Sequence, residues 1–244
     1  MTQTVLCLKW GTRYGPHYAN RLYSMVKRNT QRPLRFVCIT DDAEDLDPGI
    51  EVKPMPPFTL PEFFRNRPFR RMFIWDETLF DLEGNVLHFD LDLLVTGGID
   101  DFFDFKPESS FCVAENWTQE GRGIGNMSVF RFRIGSHPYL YQRFIADPMK
   151  AYHDYHNSQT FVSKQITEID FFPSKWCVSF KHNLIPAWPM NFIQTPPLPK
   201  DVKVVAFTGK PDPDEALEGR YPAPWWKKIY KHVRPTPWIA EHWR

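Results

Sequence analysis

A chain of 244 residues with 30 basic and 29 acidic side chains carries a formal charge of +1, so no global field singles out nucleic acid as a partner. Hydrophobic residues make up 42% and aromatic ones 16%, too many large rings for a disordered chain, and the length suffices for one full core. Cys7, Cys38, Cys112 and Cys177 are dispersed with no C-x-x-C, which argues against a zinc ribbon or a disulfide framework. A charged and then apolar leader is missing, and no apolar run approaches about 18 residues, so the expectation is a soluble, cytoplasmic protein.

The chain opens with a strand over Thr4–Trp10, followed by a loop from Gly11 to Gly15. Pro16 suits a first helical position, and Ala19, Leu22 and Val26 give the following helix an apolar stripe up to about Asn29. Arg35–Thr40 is a second strand, completing a βαβ unit that demands a parallel pair and a right-handed crossover. Ligands dock over the carboxyl edge of such units. There Trp10 and Tyr14 offer flat stacking surfaces and Arg13 a phosphate partner, unless the rings merely cover the sheet's rim.

Pro54, Pro56, Pro57 and Pro61 read as a stiff surface connection. The run Arg65-Asn66-Arg67-Pro68-Phe69-Arg70-Arg71 then opens a helix reaching about Leu82, with Phe69, Met72, Phe73, Ile74 and Leu79 on its buried side. Four arginines in seven residues are either a solvated face or a phosphate clamp; guanidinium matches phosphate oxygens bidentately, and Arg71 is the favoured member.

The chemistry concentrates in Gly84-Asn85-Val86-Leu87-His88-Phe89-Asp90-Leu91-Asp92. Gly84-Asn85 is turn chemistry, and Val86–Phe89 is a short apolar run of the kind that forms a buried strand. Asp90 and Asp92 sit two apart at its carboxyl end, so on extended backbone their carboxylates point the same way. Two hard oxygen ligands at that edge suit Mg²⁺ or Mn²⁺ holding a diphosphate. The bland alternative is that both only support the turn at Gly97-Gly98.

Beyond them, Ile99–Phe105 is a short irregular helix, and Phe111–Ala114 and Asn126–Phe132 are strands. Gly121, Gly123 and Gly125 are not a dinucleotide fingerprint, because the spacing is G-x-G-x-G and a strand follows; a mobile substrate-facing loop is expected. His137-Pro138 opens one helix. Asn157-Ser158-Gln159 caps another that runs to about Asp170, with Phe161, Val162, Ile166 and Ile169 buried. Trp176–Phe180 and Val202–Phe207 are the last strands. Thr208-Gly209-Lys210-Pro211 then forms either a plain turn or a clasp whose lysine meets a diphosphate. The tail mixes tryptophan with basic residues, a composition that suits a membrane interface, but Pro235 and Pro237 interrupt any long amphipathic helix and aromatics packing back on the domain are favoured. Residues 1–214 are therefore expected to form one catalytic domain, an α/β fold with a mixed, mostly parallel sheet and helices on both faces, and 215–244 a tail packed against it.

With these parts in order, the sequence resembles the GT-A glycosyltransferases, in particular the retaining family-eight-like bacterial enzymes. The resemblance rests on VLHFDLDLLVTGGIDDFF at 86–103, NMSVF at 126–130, SQTFVS at 158–163 and FTGKPDP at 207–213, and it covers about Thr4 to Pro213. It implies a nucleotide-diphosphate sugar donor, most simply a UDP-sugar, a glycan or lipid-linked acceptor, Mn²⁺ or Mg²⁺, and retention at the anomeric carbon. Carried over, Asp90 and Asp92 are the metal pair, and Trp10, Gly11 and Tyr14 surround the base. Arg71 lies near the donor, Asn126 and Gln159 around the transferred sugar, and Lys210 on the diphosphate. Where the family usually places a metal-binding histidine, this chain offers Thr208 beside Gly209, and Ser158 stands where an acidic residue is usual. Those departures leave room for a catalytically silent nucleotide-sugar or glycan-binding protein. A haloacid-dehalogenase-like phosphatase is a third reading of D-x-D, although that motif normally lies near the amino terminus.

Overall fold

The computed structural model describes residues 2–244. Its chain begins with strand β1 (Gln3–Lys9), helix α1 (Pro16–Arg28), β2 (Leu34–Thr40) and β3 (Glu51–Pro54). β4 (Asn85–Phe89), β5 (Leu93–Val95), α2 (Asp100–Asp104), β6 (Phe111–Glu115) and β7 (Gly125–Arg133) follow. Next come α3 (Pro138–Ala146), α4 (Pro148–Tyr155), α5 (Ser158–Gln165), β8 (Asp170–Phe171), β9 (Cys177–Ser179) and β10 (Val204–Ala206). The short helices α6 (Pro213–Leu217) and α7 (Trp238–His242) close the chain.

Seven strands form one sheet in the order β3-β2-β1-β4-β7-β6-β8. β3, β2, β1 and β4 are mutually parallel, and β7 runs antiparallel between β4 and β6. Central strands of such a sheet are covered on both faces, so they read as continuous apolar runs. In β1, Val5 and Cys7 face the core beneath α1, while Leu6 and Leu8 face the opposite core of Phe69, Phe144 and Phe161. α1 presents Ala19, Leu22, Met25 and Val26 to the sheet at helical spacing. Arg131, fully buried on β7, donates to the carbonyls of Phe102 (2.7 Å), Phe103 (3.0 Å) and Phe105 (2.6 Å), satisfying the open end of α2.

Three stretches differ from the sequence expectation. The helix expected from Arg65 to Leu82 is a 3₁₀ segment over Pro68–Trp75, because Pro68 starts it and apolar residues at 72, 73, 74 and 75 are packed on several sides rather than along one stripe. The helix expected to run to Asp170 ends at Gln165, and Asp170–Phe171 instead pairs with β6; Ile169 is only half-buried. Pro54, expected in a loop, ends the edge strand β3, where a missing N–H costs no ladder bond.

A second sheet, β5-β10-β9, is set against the rim of the first. Its β10 runs antiparallel to β5, and the Phe207 amide donates to the Asp92 carbonyl at 2.9 Å. The sheet is thereby tied directly to the D-x-D segment. The core below α1 extends to Val233, Ile239 and Trp243 near the chain's end.

Candidate functional site

β4 ends at Phe89, and Asp90, Leu91 and Asp92 form the bend between β4 and β5. Both carboxylates open into a cleft of about 380 Å³, within the ordinary range for small-molecule sites. Its remaining walls come from the β1–α1 loop, through Trp10, Thr12, Arg13 and Tyr14, and from Asn66, Pro68 and Arg71.

Each aspartate has one oxygen engaged. Arg71 donates to Asp90 Oδ1 at 2.7 Å, and the Tyr14 hydroxyl donates to Asp92 Oδ2 at 2.9 Å. Burial, and then the neighbouring charge of Asp90, pushes the Asp92 carboxyl up to about 7. Burial and the charge of Asp92 raise the Tyr14 phenol well above its usual range, which keeps it a donor. Neither carboxylate supports the turn at Gly97-Gly98: Gly97 donates to the Lys203 carbonyl instead.

The Arg71 side chain is held by the main chain. Its guanidinium also donates to the Met127 carbonyl at 3.0 Å, and the Asp90 amide donates to the Ser128 carbonyl at 3.0 Å. The Ser128 carbonyl continues the β4–β7 ladder one step past Phe89 and Val129, whereas the Met127 carbonyl is left free by an irregularity in β7: on β6, Val113 pairs with Phe130 but Ala114 pairs with Asn126, skipping Met127 to Val129. A bulge of this kind re-aims a strand next to a site. Asn126 is buried and accepts from the Ser128 amide at 2.9 Å, so its side chain stabilises the bulge.

The other arginines of the cluster are engaged elsewhere. Arg65 pairs with Glu62, Arg67 lies 3.9 Å from the Phe63 ring centre, and Arg70 reaches Asp41 at 3.4 Å. Asp41, at the end of β2, accepts from the Gly11 amide with both oxygens at 3.2 Å. Gly11 holds φ +63°, a conformation a side chain would strain.

No family model matches this sequence, and no curated protein does. Solved structures do. The galactosyltransferase LgtC, crystallised with donor and acceptor sugar analogues, superposes with a TM-score of 0.61 at 14% identity, over 86% of this chain and 89% of LgtC. GlyE of Streptococcus pneumoniae gives a TM-score of 0.58 at 17% identity, over 86% of this chain and 56% of GlyE. The bifunctional glycosyltransferase WbbM gives 0.60 at 12% identity, over 98% of this chain and 51% of WbbM. The fold is that of the GT-A glycosyltransferases.

On this GT-A rim, Trp10, Tyr14, Arg71, Asp90 and Asp92 line one cleft, with Gly11 in the same loop. Thr12, Arg13 and Asn66 line it too; Asn66 and Thr12 were not singled out by sequence, although Asn66 lies inside the arginine cluster that drew attention to Arg71. Asn126, Gln159 and Thr208–Lys210 are not among the lining residues. Thr208 stands 3.2 Å from the Ser179 hydroxyl, and Lys210 is paired with Asp212 (2.6 Å) and Glu215 (2.8 Å) at the start of α6. The D-P-D-E spelling at 212–215 is a capping box, a signal that foretells those partners.

A GT-A fold implies a divalent cation, and the donor set fits one. No cluster of three His, Cys, Asp or Glu side chains exists among the described residues; Asp90 and Asp92, which open into one cleft, are the carboxylates that would hold the ion. Two carboxylates are what Mg²⁺-type sites use when phosphate and water complete the shell. Burial, and then the charge of Asp90, oppose ionisation of Asp92, and a cation at the pair would offset both.

Proposed function

We propose that this chain is a metal-dependent glycosyltransferase that moves a sugar from a nucleotide-diphosphate sugar, a UDP-sugar in the first instance, to a hydroxyl of a glycan or lipid-linked acceptor, with retention at the anomeric carbon. The observation that carries the reading is the convergence of Asp90, Asp92 and Arg71 on one cleft walled by Trp10 and Tyr14 in a GT-A fold. The crystallised LgtC complex, with donor and acceptor analogues together, is consistent with such partners.

Asp90 and Asp92 hold Mn²⁺ or Mg²⁺, which when bound makes the leaving diphosphate less basic as a Lewis acid. Arg71, fixed in advance by the Met127 carbonyl, meets the charge left over on the diphosphate without reorganising. Trp10 supplies the flat surface for the base, since the Tyr14 hydroxyl is committed to Asp92. Leu8 and Leu91 wall the cleft with apolar surface, which disfavours water and hence hydrolysis of the donor. The Thr208–Lys210 loop closes over the donor when Lys210 exchanges Asp212 and Glu215 for the diphosphate.

A silent nucleotide-sugar-binding protein is the second reading, favoured by the double engagement of Lys210 and by Thr208 in the place of a histidine. The phosphatase reading falls with the GT-A fold. Calorimetry with a panel of nucleotide sugars, with and without Mn²⁺, tests the proposal. Metal-dependent binding followed by slow release of the nucleotide diphosphate supports a transferase, whereas metal-independent binding without turnover assigns the silent role. Absence of binding across the panel would sink both.

A further inference from the structure

Thirteen large hydrophobic side chains are exposed among the described residues, and eight of them fall in two six-residue segments. Trp188, Met190, Phe192 and Ile193 come from the connection between β9 and β10; Trp225, Trp226, Ile229 and Tyr230 come from the 3₁₀ turn after α6. Trp225 is 78% exposed and Ile193 68%, so these rings and branches face solvent almost whole.

The two segments are welded into one surface. Trp188 donates its indole N–H to the Ile229 carbonyl at 3.1 Å. Asn191, buried between them, donates to the carbonyls of Tyr230 at 2.9 Å and His232 at 3.0 Å. Phe192 stacks on His232 with ring centres 4.4 Å apart. The patch is therefore a fixed face, not a frayed tail, and contiguous exposed apolar patches rimmed by polar residues mark interaction sites.

Its rim is basic. Lys227 and Lys228 belong to the same 3₁₀ turn and Lys231 follows it; no carboxylate among the described residues lies within 4.0 Å of these three ammonium groups. Arg220, by contrast, is paired with Glu218. Lys228 and Lys231 also border a surface hollow of about 430 Å³ with Tyr221 and His232. Protein-binding interfaces are depleted in lysine, whereas Trp, Tyr and lysine around an aliphatic centre are what the headgroup region of a bilayer selects. No helix of the described residues is long and apolar enough to cross a membrane, so the mode open to this face is lying on the surface.

We propose that this face docks the protein onto an anionic lipid bilayer, its Trp and Ile side chains entering the headgroup layer while Lys227, Lys228 and Lys231 meet lipid phosphates. The inference goes beyond the donor site and stands whether or not the chain transfers sugar. It is tested by sedimentation of the full chain with vesicles of phosphatidylcholine alone and with about one third phosphatidylglycerol. The expected result is cosedimentation with the anionic vesicles that weakens at high salt. Trp225→Ser with Ile229→Ser reduces the bound fraction tenfold or more, and Lys227→Glu with Lys228→Glu removes the preference for anionic lipid. Nucleotide-sugar binding stays unchanged and melting temperatures move by no more than a few degrees, since Trp225, Lys228 and Ile229 are exposed and the half-buried Lys227 makes no ion pair among the described residues. The proposal is overturned if the protein stays in the supernatant with anionic vesicles, or if both double variants bind like the parent. A dimer seen by light scattering and abolished by the serine pair assigns the face to a second copy and overturns it too.

Discussion

Arg71 and Asp90 meet at 2.7 Å with Arg71 9% exposed, and the same nitrogen reaches the Met127 carbonyl, so one cation serves a side chain and a strand at once. Arg71→Lys should keep the charge and lose the placement, because a lysine ammonium ends closer to the backbone on a flexible stem and is not held where Nη1 meets both acceptors. Turnover with a nucleotide sugar is expected to fall roughly tenfold to a hundredfold, as for loss of one pre-aimed donor. Arg71→Ala additionally leaves Asp90 unpaired and should lower unfolding free energy by about 1–3 kcal/mol. Denaturant melts of both variants separate the two effects.

Asp92→Asn tests the cation. The amide oxygen can still accept from Tyr14, so the fold is expected to persist with a melting temperature within a few degrees of the parent. Mn²⁺-dependent binding of a UDP-sugar in the calorimeter should vanish. Activity near that of the parent would remove Asp92 from the metal site.

His88 points to an acid-labile core. It is fully buried on β4, stacked on Phe130 with ring centres 4.6 Å apart, and neither ring nitrogen has a hydrogen-bond partner among the described residues. Burial lowers its pKa to about 3. A histidine depressed in the folded state stays neutral there while the unfolded chain binds a proton below its ordinary value of about 6.5. Stability is therefore whole above that value and is lost as pH falls toward 3, by up to about 1.4 kcal/mol per pH unit from this residue. His88→Phe should flatten that limb in urea melts taken between pH 7 and 4, with little change at pH 7.

Thr208→His restores the side chain that the resembling family places in this loop. If the loop closes on the metal, Mn²⁺ affinity measured by electron paramagnetic resonance with UDP present should rise about tenfold, or roughly 1.4 kcal/mol. The Ser179 contact is lost, but the buried Ser179 hydroxyl keeps the His182 amide as a partner, so the cost is about 1 kcal/mol or less. An unchanged affinity means that the loop does not reach the cation.

Much of the rim was legible because its signals are local. Two aspartates at the end of an apolar run mark the strand's carboxyl edge, although they stand in a bend and not on the extended backbone expected of them, and Pro16 with the Ala19, Leu22 and Val26 stripe fixes α1. Arg71 was separable from Arg65, Arg67 and Arg70 only in outline, since the choice depends on where the 3₁₀ segment over Pro68–Trp75 turns each side chain. Asn66 and Thr12 have no chemistry that distinguishes them before the chain brings them to the cleft. The tail divides in a way composition cannot express: Trp243 is 5% exposed against α1, while Trp225 stands in solvent. Lys210 was read for its charge, and its pairing with Asp212 and Glu215 shows how a helix start claims a nearby cation.

Strand β7 sets two peptide oxygens, that of Ser128 in its ladder with β4 and that of Met127 at its swerve past Val113, under Asp90 and Arg71. A peptide oxygen is common to every amino acid, so this support leaves no letter in the sequence to be preserved or compared. Exchanges of one apolar side chain for another at the buried Met127 and Val129 can accumulate without disturbing it, whereas deleting a single residue there would pull both oxygens away together. Two proteins could share such scaffolding and spell it differently throughout, which accords with superposable structures at 12–17% identity.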